Sequence, residues 1–213
     1  MTEAAVPSPQ RDWWLRSLLV LQAPRAVFTA LRDESDEEVS ARAEPVLAIV
    51  ILAGIAAVLQ SNAAAHLLDD AVFDGLLIAV WAFLAGALYG AFVYWAGGLV
   101  LHVGLKALGS RGRFRRSRHL LAFSWAPLVL SLLLWVPRLA LYGGDSFRYG
   151  GSDSGTGNTV FGLLELACAI WALALLLVGI HALERWSWAR SLAGVAVAAA
   201  LPVLLALAAY GWL

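Results

Sequence analysis

Five long apolar stretches, each bounded by charged or turn-forming residues, dominate the sequence. They run over about 46–64, 75–104, 119–142, 159–183 and 191–213. A helix needs about 20 apolar residues to cross the roughly 30 Å hydrocarbon core of a bilayer. Apolar residues make up 61% of the chain and charged residues only 14%, against roughly 45–50% and about 25% in soluble domains. The sequence therefore predicts an all-α, polytopic membrane protein with a five-helix membrane domain over 46–213.

The basic residues predict how the chain is oriented. Thirteen of the fifteen Lys and Arg residues precede the first apolar stretch, or lie between the second and third or between the fourth and fifth. Lys and Arg in short loops are retained in the cytoplasm. We therefore expect a cytoplasmic N-terminus and an extracytoplasmic C-terminus in a cell (inner) membrane, and the first forty residues do not resemble a cleaved leader.

Residues 1–45 form the predicted cytoplasmic N-terminal segment. It carries candidate interfacial residues Trp13, Trp14, Pro24 and Phe28. Tryptophan at an interface and proline near a helix start are typical of short helices lying on a membrane leaflet. A helix packed beneath the bundle is an equally good interpretation. The run Asp33 to Glu38, here called the acidic segment, is expected to be a solvated hinge.

Three blocks of sequence occur in an order that resembles a known family. They are Gln22 to Leu31, with the pattern P-x-x-x-F-x-x-L; Arg113 to Pro127; and Trp171 to Arg190. Their order and spacing resemble the Yip (Ypt-interacting protein) domain family, in its bacterial five-span form. The resemblance implies a membrane protein with a cytoplasmic N-terminal region. Eukaryotic members are linked to Rab-type GTPases and vesicle traffic, but their Asp-Leu-Tyr-Gly-Pro element is absent here, so that link is not carried over.

A basic segment, residues 106–118, separates the second and third apolar stretches. Basic residues next to a membrane attract anionic lipid by about 1 kcal/mol each. The segment is therefore a candidate lipid contact, although a topology anchor without further role explains it equally well. In a third interpretation the acidic segment folds over it and neutralises it. Its charged residues are Lys106, Arg111, Arg113, Arg115, Arg116 and Arg118.

A ridge of small residues follows one side of the second apolar stretch. Ala82, Gly86 and Gly90 repeat every four residues, a spacing that lets another helix approach closely. The ridge favours packing within the bundle, with a homo-oligomer contact as the alternative.

Glu165 is an acidic residue deep within an apolar stretch, and Arg138 lies just inside the preceding one. Both are only a few residues from the same predicted outer loop, so their depths match. Intramembrane charges are costly and mark candidate functional sites. A structural ion pair is the favoured interpretation, and proton or ion handling by Glu165 is the alternative.

Enzyme and metal chemistry find little support in the sequence. No paired carboxylates, nucleophile motif or phosphate loop is evident. His102, His119 and His181 belong to three different helices with no metal-ligand spacing, and Cys168 is expected to be a small core residue. With a formal net charge of zero, nucleic acid is not favoured as a partner. We expect no enzyme activity, cofactor or metal.

Two functions remain open. The first is a membrane scaffold or organiser that acts through contacts with lipids, mainly anionic ones, and with other membrane proteins or its own copies. The second is a small transporter or permease component coupled through Glu165, although five spans do not divide into two equal inverted repeats. A polar cavity at the midplane would favour transport, and a dry core would favour the scaffold.

Overall fold

A computed structural model describes residues 9–70, 72–153 and 155–209, and within these ranges the regular structure is helical. The α-helices are α1 (Pro9–Leu19), α2 (Pro24–Ala30), α3 (Asp36–Ala41), α4 (Ala43–Leu59), α5 (Gly75–Ala107), α6 (Phe114–Ser124), α7 (Ala126–Ser131), α8 (Trp135–Tyr142), α9 (Thr156–Glu184) and α10 (Trp188–Ala209). Short 3-10 helices cover Ala64–Asp69, Leu132–Leu134 and Gly143–Phe147. The predicted N-terminal segment and last span extend into residues 1–8 and 210–213, which lie outside the described residues.

Four helical stretches within the described ranges are long and apolar enough to cross a membrane. They are Asp36–Leu59, Gly75–Ala107, Phe114–Phe147 and Thr156–Glu184. A shorter apolar helix, Trp188–Ala200, forms the first part of α10. The prediction of an all-α, multi-pass membrane protein is confirmed, whereas the number of five crossings stays a prediction.

The helix boundaries differ most from the predicted stretches in two places. Helix α4 ends at Leu59, five residues before the predicted end of the first stretch. The third stretch is divided into three α-helices and a 3-10 turn. Helix α6 ends just before Pro127, because proline lacks the amide hydrogen that a continuing helix needs. Apolar composition alone does not report such a break.

The described contacts fall into two compact units. The first comprises Met1–Ala48, Ala96–Ser124 and Leu175–Leu213. Its core contains the fully buried side chains of Trp13, Phe28, Phe123 and Ile180, and the Trp13 and Phe123 rings lie 5.5 Å apart. The N-terminal helices α1 and α2 thus contribute large aromatic side chains to the core of the first unit.

The second unit comprises Ile49–Trp95 and Trp125–Ala174. Its core cluster contains five buried side chains: Ala64, Leu67, Ile78, Trp135 and Phe147. The Trp135 and Phe147 rings stack at 5.4 Å with an interplanar angle of 17°. Both 3-10 helices that flank α8 and the one that follows α4 lie in this unit.

Candidate functional site

The acidic and basic segments meet within the first unit. Glu34 Oε2 lies 3.7 Å from Arg113 Nε, and Asp36 Oδ1 lies 3.9 Å from Arg115 Nη2. Each pair has one exposed side chain, Arg113 at 71% and Asp36 fully, and one partly buried side chain, Glu34 at 19% and Arg115 at 32%. Long contacts of this kind, with one partner in solvent, contribute only about 0–1 kcal/mol. These two contacts are therefore weak enough to be exchanged for other partners.

Arg116 differs from the other arginines of the basic segment. Its guanidinium contacts Glu184 at 3.3 Å, and both side chains are largely buried. It also donates a hydrogen bond to the Leu183 carbonyl at 3.0 Å. These groups belong to the last turn of α9, where a cation also interacts favourably with the helix dipole. Arg116 thus has a structural role that the exposed arginines do not share.

Arg32 caps the same end of α9. Its side chain donates to the carbonyls of Ala182 and Leu183. Burial, Arg185 and Arg116 lower the pKa of the Arg32 guanidinium, but arginine remains charged in proteins. The last carbonyls of α9, which no helical amide can reach, are therefore satisfied by arginines from two other parts of the chain.

The acidic segment is more ordered than a solvated hinge. Ser35 caps α3, and its hydroxyl accepts a hydrogen bond from the Glu38 amide. Hydrogen bonds from the backbone amide and side chain of Ser35 lower the pKa of the Asp33 carboxyl. The carboxylates of Asp36, Glu37 and Glu38 occupy the first turn of α3, where they complement the positive end of the helix dipole. The segment thus presents its carboxylates from a fixed helix start.

The candidate interfacial residues divide into buried and exposed ones. Trp13 and Phe28 are completely buried, whereas Trp14 is 43% exposed. The Trp13 indole donates a 2.6 Å hydrogen bond to Glu38 Oε2. Pro24 is at the start of α2, where its missing amide hydrogen is not needed. Trp13 and Phe28 therefore pack into the first unit, whereas Trp14 and its neighbours form an exposed apolar face.

Arg138 and Glu165 lie together in the second unit, with two further partners. Arg138 Nη2 donates to Asp153 Oδ2 at 2.8 Å and to Asn158 Oδ1 at 3.1 Å. Arg138 Nη1 is 3.6 Å from Glu165 Oε1, beyond hydrogen-bond distance. The guanidinium carbon also lies 4.9 Å from the centre of the Trp135 ring. We call Arg138, Asp153, Asn158 and Glu165 the Arg138 cluster.

The sequence interpretation missed Asp153 and Asn158. Asp153 belongs to the Gly/Ser-rich loop before α9, and Asn158 lies in the first turn of that helix. Polar residues are common in both places. The available signal was proximity in sequence, since Asp153 lies twelve residues before Glu165 and just ahead of the same helix. The structure shows that one guanidinium faces two carboxylates, and that its shorter contact is with Asp153.

The small-residue ridge of α5 packs against α4 within the second unit. A Cβ atom added to Gly86 would lie 2.6 Å from the Ile55 Cα, and one added to Gly54 would lie 2.8 Å from the Gly90 Cα. A Cβ on Gly90 would meet the Val50 carbonyl. Ala82 is also buried. Two helix backbones approach here at a distance that only glycine permits.

The candidate metal-binding histidines have other surroundings. His102 Nδ1 lies 3.3 Å from the Ser117 hydroxyl, and the His181 ring stacks on Trp188 at 4.2 Å. His119 is buried. Over the described ranges, no three His, Cys, Asp or Glu side chains are grouped as ligands for a metal ion.

Comparison with known proteins gives one match. A family model described as the Yip1 domain matches residues 18–211, which is nearly the whole chain. No curated protein and no solved structure matches the sequence.

Proposed function

The chain belongs to the Yip1 domain family, and we propose that it is a non-enzymatic membrane scaffold whose basic segment is a charge-controlled surface for anionic lipid. In this proposal the acidic segment competes with lipid headgroups for the same arginines. The surface faces the cytoplasm, which places the N-terminus inside and the C-terminus outside. The positive-inside charge distribution supports this orientation.

The contact between the acidic and basic segments carries the proposal. Glu34 and Asp36 lie against Arg113 and Arg115 at 3.7 and 3.9 Å. A long contact with one partner in solvent contributes about 0–1 kcal/mol, and attraction to an anionic membrane contributes about 1 kcal/mol per basic residue near its surface. Because the two energies are similar, a change in lipid composition or salt can exchange one partner for the other.

Four of the six basic residues therefore fall into two groups with different expected roles. Lys106, Arg111 and Arg113 are exposed and are available to headgroups. Arg116 is committed to Glu184 and to the end of α9, and we assign it to holding the segment in place. This division predicts that lipid binding and folding respond to different arginines.

The experiment measures phosphatidylglycerol that copurifies with the full chain from mixed-lipid bilayers. Arg113→Gln with Arg115→Gln should lower phosphatidylglycerol recovery, and Glu34→Gln with Asp36→Asn should raise it, because the competing carboxylates are removed. Both effects should shrink in high salt, which screens exposed charges. Arg148→Gln, an exposed arginine in the opposite predicted loop, is the matched control and should change nothing. Unchanged recovery in both double variants, with altered insertion only, would reduce the segment to a topology anchor.

A transport function has one specific observation in its favour. Glu165 shares Arg138 with Asp153 and makes the longer contact, so its carboxylate is the less firmly held of the two. Glu165→Gln, which keeps the shape but cannot exchange a proton, should then abolish proton uptake into vesicles. Loss of uptake with unchanged folded yield would favour the transporter over the scaffold.

A further inference from the structure

The second unit contains an apolar cavity that the proposed function does not use. It has a volume of about 440 Å³, within the roughly 300–1,000 Å³ typical of ligand pockets. Helices α4, α5 and α8 and the turns beside them form its walls. The residues that matter to its chemistry are Ile78, Ala79, Phe83, Trp135 and Leu139.

Trp135, which lines the cavity, carries an unpartnered polar group beneath the cavity surface. Every side chain that lines the cavity is apolar or aromatic. Trp135 is 6% exposed, and its Nε1 is buried without a hydrogen-bond partner among the described residues. A buried donor without an acceptor costs about 1–3 kcal/mol, so an acceptor brought by a ligand would be stabilising.

The surroundings of the cavity indicate what enters it. Phe83 and Leu139 line the cavity and are 55% and 43% exposed. Both lie in helical stretches that are apolar enough to cross a membrane, where the surrounding solvent is hydrocarbon. An apolar cavity of this size is poorly suited to water, and filling it restores the dispersion contacts that its walls lack.

We propose that this cavity binds one acyl chain of an ester-linked phospholipid, whose ester carbonyl accepts a hydrogen bond from Trp135 Nε1. The indole must shift slightly to expose its N–H group. The proposal does not depend on the basic segment or on lipid charge.

Charge complementarity favours a phospholipid ester over a free fatty acid. A carboxylate would need a cation, and no Lys or Arg lines the cavity. Arg138 lies over the Trp135 ring, but its guanidinium already bonds to Asp153 and Asn158. A neutral carbonyl oxygen matches a single neutral N–H donor without leaving a buried charge unpaired.

The test uses the full chain in phosphatidylcholine nanodiscs with a trace of phosphatidylcholine that carries a diazirine in its acyl chain. After photolysis, cross-linked peptides are mapped by mass spectrometry. Cross-links should concentrate several-fold on residues 75–83 and 135–147 relative to 84–95. Ala79→Phe, an exposed position on the cavity wall, should reduce them several-fold. Ala91→Phe, exposed on the same helix but not lining the cavity, is the control and should leave them unchanged.

Competition identifies the acceptor. In nanodiscs made of ether-linked phosphatidylcholine, labelling by the ester-linked probe should be roughly two- to tenfold higher than in ester-linked ones, because the bulk lipid then lacks the carbonyl that competes for one hydrogen bond. Trp135→Phe should abolish this difference while retaining the cavity wall. Even labelling along α5, equal labelling in the two kinds of nanodisc, or displacement of the probe by added oleate would each overturn the proposal. Because the probe is zwitterionic, failure here leaves the charge-controlled surface untouched.

Discussion

Arg138 Nη1 lies 3.6 Å from Glu165 Oε1, and the two residues come from α8 and α9. The same guanidinium is closer to Asp153, at 2.8 Å. Arg138 is therefore shared between two carboxylates, and removing it leaves both without their cation. Mutations in this cluster should therefore have effects that differ from those of mutations in a simple ion pair.

Arg138→Leu should destabilise the protein strongly, by about 3–5 kcal/mol if it behaves as a broken buried pair. Adding Glu165→Leu should recover only part of the loss, because Asp153 stays unpaired. The triple variant that also carries Asp153→Leu should recover more. Thermal unfolding in detergent measures each step. Strictly additive losses across the series would show that the three side chains do not act together.

Gly54→Ala should destabilise the second unit, by about 1–3 kcal/mol for an overpacked contact. The new methyl group would meet the Gly90 backbone of α5, and neither helix backbone can yield cheaply. Gly162→Ala in α9 is the control, since a Cβ there meets nothing within 4 Å. Alanine also favours helix over glycine, so the control should be neutral or stabilising. Equal effects at both positions would contradict a close contact of α4 with α5.

Trp13 and Trp14 are adjacent in sequence but should respond differently to mutation. Trp13→Ala removes a fully buried ring and its bond to Glu38, and should cost about 3–5 kcal/mol. Trp14→Ala removes an exposed ring and should change stability by less than about 0.5 kcal/mol, while weakening contact of α1 with a bilayer. Detergent stability and the depth of a spin label on α1 separate the two effects. Similar stability losses would mean that both faces of α1 are packed.

Single cysteines test the orientation in a Cys168→Ala background. Arg111→Cys should be shielded from an impermeant thiol reagent in intact cells, and Ser152→Cys should be labelled. Both positions are exposed, whereas neighbouring Ser110 is buried and accepts a hydrogen bond from the Gly112 amide. Permeabilised cells provide the control, in which both cysteines should react. Labelling at position 111 alone in intact cells would reverse the orientation.

The sequence was sufficient for the fold class because apolar stretches of membrane length have few alternative structures. It also predicted matching depths for Arg138 and Glu165, because the number of residues between each of them and the shared loop converts directly into a distance along its helix. The break before Pro127 was less visible, since its flanking residues are as apolar as those within a continuous helix.

Other features could not be predicted because they depend on distant parts of the chain. Trp13 and Trp14 have the same chemistry, and only the tertiary packing of residues such as Phe123 and Glu38 against Trp13 makes it buried. Asp153 lies in a polar loop, and its role follows from the direction in which that loop returns to Arg138. The six basic residues likewise look equivalent until Glu184 is placed beside Arg116.

The arginines that cap α9 also set an order of events during synthesis. Arg32 bonds to the carbonyl of Leu183, 151 residues later in the chain. At about 5–20 residues per second, the ribosome needs roughly eight to thirty seconds to make that acceptor after it has made Arg32. The Arg32 cap therefore cannot form until the end of α9 has left the ribosome.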